Sequence, residues 1–149
     1  MTLEIETIQN DLGKFIMSLC PVKWDKVYYY VIRTDMSCDM YFCVKEFQTG
    51  LIISSNYFFD RYDKYGMSKN ETYAQLYKMT TSLYNAYKAD KEKLWTTMTL
   101  IADSSGETTF DFTYEAPAGK NIFQQREEWE KKYFNEPAPA VKVKYPEGI

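Results

Sequence analysis

The chain of 149 residues contains no histidine. That absence removes Ser-His-Asp and Cys-His nucleophile activation, histidine acid–base chemistry and imidazole metal ligation together. Cysteine is sparse. Cys20, Cys38 and Cys43 form no Cys-x-x-Cys pair, and an odd count without metal spacing argues against a disulfide framework or a zinc site. The six glycines are scattered, so no glycine-rich phosphate loop exists. No apolar run approaches the roughly 20 residues that span a bilayer. The first residues, Met1 to Glu6, lack the basic and apolar regions of a secretory signal. These absences predict a cytoplasmic protein with reduced thiols, in which the sequon Asn70-Glu71-Thr72 carries no glycan. They predict no cofactor, no membrane contact and no small-molecule substrate.

A surplus of positive charge is missing too. Lys and Arg number 18 against 21 Asp and Glu, for a net charge of −3 and a pI near 5.1. Affinity for nucleic acid comes largely from neutralising phosphates, so direct nucleic-acid binding is not expected. A basic protein partner suits this balance better, because opposite fields speed encounter. Aromatic residues are abundant, at 17%, with 14 Tyr and 9 Phe. Tyr joins an apolar ring to a polar tip, which fits a core with wet edges or a binding surface.

Periodicity then predicts the elements. Over residues 3–19, Ile5, Ile8, Leu12, Phe15, Ile16 and Leu19 recur at helical spacing, with Thr2 as cap and Pro21 as stop. Residues 26–33 read as a central strand, apolar on both faces. A second strand spans 38–47, and Gln48-Thr49-Gly50 turns into a third at 51–55. Links this short make an antiparallel meander. Cys38 and Cys43, an odd number of residues apart, face opposite sides and cannot pair. Residues 56–67 hold neither period and read as a long loop. Ser68-Lys69-Asn70-Glu71 matches a capping box opening a helix to about 89, with Tyr73, Leu76, Tyr77, Thr80, Leu83, Tyr84 and Tyr87 on one face. Strands at 94–102 and 107–115 flank the turn Asp103-Ser104-Ser105-Gly106. The second alternates Phe110, Phe112 and Tyr114 with Asp111, Thr113 and Glu115, one face to the core and the other to water. After Pro117 and Gly119, a last helix covers 121–134. The order α-β-β-β-α-β-β-α predicts an α+β fold, an antiparallel sheet of about five strands with helices packed on one face. A single domain is expected over 1–135, followed by an extended or disordered Pro-containing tail, 136–149.

Few residues offer chemistry. Asp60 and Asp63 lie three apart in the aromatic loop, and Asp111 and Glu115 share a strand face. Such carboxylate pairs can bind a metal or hydrolyse a glycoside. They also read as solvated acidic surface, or as partners for Lys and Arg of a basic protein. The last reading predicts a contact surface formed by Asp60, Tyr62, Asp63, Asp111 and Glu115, and no catalytic or metal-binding residue. Arg126 and Trp129 are neighbours on the last helix. Their structural reading has Trp filling a core edge while Arg stacks or pairs with an acid.

The second half resembles a known family. Leu94-Trp95, Thr99-Leu100, Gly106, Phe110-Asp111-Phe112-Thr113-Tyr114 and Arg126-x-x-Trp129-Glu130-x-Lys132-Tyr133 look like the YezG/EsaG antitoxins. The resemblance covers roughly residues 3–134 and is specific in the last forty. It implies an α+β fold and an immunity factor that binds the nuclease domain of a type VII-secreted, LXG-type toxin in the producer's cytosol. It supplies no catalytic residues, and implies that Trp95, Tyr114, Arg126 and Trp129 hold the fold. Phe134-Asn135 departs from the family's usual Leu-Gly, and the middle is unusually Tyr-rich, which leaves the cognate toxin open. An adaptor or secretion chaperone for an exported bacterial protein, and a small carboxylate-dependent enzyme, are the competing expectations.

Overall fold

The computed structural model describes residues 2–21, 23–62, 68–90, 94–115 and 119–134. Helix α1 (Leu3–Ser18) starts where the Thr2 hydroxyl accepts from the Ile5 N–H. Strands β1 (Trp24–Arg33), β2 (Cys38–Glu46) and β3 (Ile52–Ser54) follow, then helices α2 (Ser55–Arg61) and α3 (Lys69–Ala89). Strands β4 (Thr97–Asp103) and β5 (Thr108–Thr113) precede helix α4 (Ile122–Phe134). The five strands form one antiparallel sheet in the order β3-β2-β1-β4-β5. The α+β class and the order of elements agree with the sequence.

Strand β1 is central and buried on both sides from Val27 to Arg33. Val27, Tyr29 and Val31 face the main core with Phe42, Val44, Leu100 and residues of α1, α2 and α3. Tyr28, Tyr30 and Ile32 face a second cluster with Tyr41, Cys43 and Trp129 of α4. Helices therefore cover both faces, not one. The expectation of a single helical face holds for α1, α2 and α3, but α4 crosses to the other side. The reason is β1 itself: apolar on both faces, it has to be covered twice.

The region read as a loop is helical over Ser55–Arg61. A helix this short lacks the turns needed to show a period. Phe58 anchors it, with its ring 5.1 Å from Phe42. Helix α3 opens with the expected capping box: the Glu71 N–H donates to Ser68 Oγ and the Ser68 N–H to Glu71 Oε1. In the β4–β5 turn, Asp103 Oδ1 accepts from the N–H groups of Ser105 and Glu107, and Gly106 takes a φ of 96° that favours glycine. Cys20, Cys38 and Cys43 are free thiols. Asp63, Pro117 and the tail from 136 lie outside the described residues.

Candidate functional site

The face that carries α4 holds a row of polar side-chain contacts between that helix and the sheet. Trp129 sits at its centre, 5% exposed, with its ring stacked on Tyr30 at 4.9 Å. Its indole N–H donates to Thr99 Oγ1 at 3.0 Å. One turn earlier, Arg126 donates to both oxygens of Asp39 and lies 4.6 Å from the Tyr41 ring. The Tyr41 hydroxyl donates to Glu130 Oε2 at 2.8 Å. One turn later, the Tyr133 hydroxyl donates to Asp111 Oδ2 at 2.6 Å. Burial, with that donation to a carboxylate, pushes the Tyr133 phenol up to about 12.

Beside this helix runs a cleft of about 420 Å³ between α4 and the β4–β5 hairpin. Tyr30 and Trp129 form its aromatic end, and Thr97, Thr99 and Thr113 its sheet wall. Its carboxylates are Asp111, Glu115 and Glu128, against the ammonium groups of Lys120 and Lys132. Lys120 pairs with Glu128 at 2.7 Å and Lys132 with Asp111 at 3.6 Å. The Thr96 hydroxyl donates to the backbone carbonyls of Thr113 and Glu115, which fixes the chain just past β5.

Four of the five contact residues expected from sequence are described, and they do not form one patch. Asp111 and Glu115 both line the cleft. Asp60 is exposed on α2, which follows the edge strand β3. Strands lie about 4.8 Å apart, so the four steps from β3 to β5 separate the two edges by about 19 Å. Tyr62 is half-buried, and its hydroxyl donates to Glu46 while accepting from Arg61 Nε at 3.2 Å. Glu46 also accepts from Arg61 Nη2 at 2.9 Å and Thr49 at 2.7 Å. Burial raises the Glu46 carboxyl, but the bonds from Arg61, Thr49 and Tyr62 outweigh it and hold it below its ordinary value.

Of the family-motif residues, Trp95 is 1% exposed, edge-on to Tyr84 at 5.3 Å. Tyr114 lies one residue past β5 and is 40% exposed. The role of Glu128 and Lys132 in the cleft was not read from sequence. The like parity of Thr97, Thr99, Asp111 and Thr113 on paired strands is the signal that locates the wall. Among the described residues, no group of three or more Cys, Asp or Glu could hold a metal ion. No described helix is long and apolar enough to cross a membrane.

A sequence model of the YezG-like immunity proteins matches residues 5–144. The chain belongs to this family of immunity proteins. It is also similar to Immunity protein YezG of Bacillus subtilis (strain 168), with 26% identity over 107 residues that cover 70% of this chain and 69% of that relative. The match includes every described element apart from Leu3 and Glu4 at the start of α1.

Proposed function

We propose that this YezG-like immunity protein acts as an antitoxin that binds a cognate secreted bacterial toxin, a nuclease, in the producer's cytoplasm. The observation that carries the reading is the family match over residues 5–144. The nuclease, the LXG type and the type VII route follow from the resemblance of the Phe110–Tyr114 and Arg126–Tyr133 motifs. The net charge of −3 favours a basic partner. The protein works by contact and not by catalysis, with no cofactor and no small-molecule substrate. Asp60, Tyr62, Asp63, Asp111 and Glu115 are contact residues in this reading. Trp95, Tyr114, Arg126 and Trp129 hold the fold.

The experiment is co-expression with the toxin encoded in the adjacent reading frame. Restored growth and a complex with the isolated toxic domain are expected. The absence of both rescue and complex would end the reading. Binding to the toxin's secretion-targeting region alone would instead make the protein an adaptor.

A further inference from the structure

Exposed apolar side chains are not spread evenly. Among the described residues seven large ones are exposed, and five gather at one end of the sheet: Met36, Tyr77, Tyr114, Ile122 and Phe123. The register places them there. Ile32 pairs with Thr97 and Thr97 with Thr113, while Arg33 pairs with Cys38. Met36 lies in the turn beyond that last pair, and Tyr114 one residue past β5. Helix α4 runs from Arg126, at Asp39, to Phe134, whose ring is 4.8 Å from Tyr28. Its first turn therefore projects past the strand ends on the side of Met36. Phe123 precedes Arg126 by three residues and shares its side of the helix, toward β2. From the opposite face, the Tyr77 ring reaches within 5.6 Å of the Arg33 guanidinium.

Met36 is 93% and Phe123 70% exposed. Single exposed apolar residues are ordinary, but a cluster rimmed by polar groups marks a contact surface. The cleft opens beside this ridge, since Thr97, Thr113 and Glu115 of its lining lie at the same end. Asp35, next to Met36, is 68% exposed and already pairs with Lys88 at 3.3 Å, so the acidic flank of the ridge is the cleft side, where Glu115 lies. An apolar ridge flanked by carboxylates fits a partner segment that presents an apolar anchor beside Lys or Arg. A second copy fits less well, because a two-fold contact would set the acidic flank against itself.

Resting on the toxin-binding reading, we propose that the toxin docks on this end of the sheet. It seats an apolar side chain on Met36, Ile122 and Phe123, and a basic one in the adjoining cleft near Glu115. The acidic hairpin contributes through the cleft.

The test uses the full chain and the toxic domain encoded in the adjacent reading frame, carrying an inactivating substitution, in a binding titration. Substituting both anchors (M36A/F123A) should weaken binding by about 30-fold or more, as central apolar anchors do. F47A, which truncates an exposed ring in the turn at the opposite end of the sheet, should stay within about 2-fold, as surface changes away from the interface do. E115Q should slow association and flatten its salt dependence. Thermal melts matching the wild type confirm that the truncations leave the fold intact, as expected for exposed side chains. Wild-type affinity in M36A/F123A overturns the surface while the toxin-binding reading stands. A wild-type protein that fails to bind the toxic domain overturns both. A wild-type dimer in sedimentation that M36A/F123A dissolves makes the ridge a self-contact and overturns the proposal.

Discussion

On one face of the sheet, Val27, Tyr29 and Val31 meet three helices; on the other, Tyr28, Tyr30 and Ile32 meet one. The three-helix side is fixed mainly by shape. Its apolar residues run from Ile5 of α1 through Phe58 of α2 to Leu83 of α3. Within it, the Tyr29 hydroxyl is buried and shares a hydrogen bond of 2.8 Å with Thr80. The single-helix side is fixed by tethers. Arg126, Trp129, Glu130 and Tyr133 each bond to a different position on the sheet. One helix on a flat aromatic floor has few side walls to hold its rotation. Directional bonds on successive turns supply that constraint. A lone helix also leaves open space beside it, which is where the cleft lies.

The largest expected effect comes from breaking the shape-fixed side. Phe42→Ala removes a fully buried ring that meets Phe58 and Phe59, and should cost about 3–5 kcal/mol in a denaturant melt. Trp129→Ala falls in the same chemical class, but its effect should be local. Hydrogen exchange should show α4 amides losing protection while β1 amides keep theirs. Uniform loss across β1 and α4 would mean that the two sides unfold as one.

Asp39→Ala leaves the Arg126 guanidinium, only 19% exposed, without its carboxylate. A cost of about 1–3 kcal/mol is expected, and a double-mutant cycle with Arg126→Met isolates the pair. The Glu46–Arg61–Tyr62 cluster is a tether on the three-helix side, so it sharpens the contrast. Its folded-state carboxyl is held below the ordinary glutamate value, which is about 4.3. The stabilisation is therefore present above that value and disappears as pH falls through the lower, folded one. The stability gap between wild type and Glu46→Gln should be full at neutral pH and close in acid, read from melts across pH. The smallest effect should come from Ser68→Ala, which removes one half of the exposed capping box of α3. It should cost about 1 kcal/mol. A cost above that of Asp39→Ala would show that the three-helix side depends on local bonds more than on packing.

Legibility followed the range of each signal. The capping box at Ser68 and the apolar stripe of α1 are local, and both lie where the sequence puts them. Helix α2 was hidden because its seven residues are held by Phe42 and by Glu46 of β2 rather than by a pattern of their own. Strand β4 begins at Thr97, three residues after the expected start at Leu94. Tyr77, on the expected core stripe of α3, is 49% exposed because it sits at the sheet's end over Arg33. Of the contact residues, Asp111 and Glu115 were readable as one surface from strand parity. Their separation from Asp60 depends on strand order, which no local pattern carries.

The sequence by itself determined the α+β class, the number of strands, the two-sided burial of β1 and the absence of histidine chemistry. Each follows from composition or from periods of 2 and 3.6 along a single segment. Only the tertiary structure decided that α4 would take the face opposite the other helices, and that Asp60 and Asp111 would stand at opposite edges. Only it gathered Met36 and Phe123 at one end. A side-chain period says which face of an element is apolar, but not which neighbour covers it. That choice is made by non-local pairing, here by the order β3-β2-β1-β4-β5 and by the bonds that anchor Arg126 and Trp129.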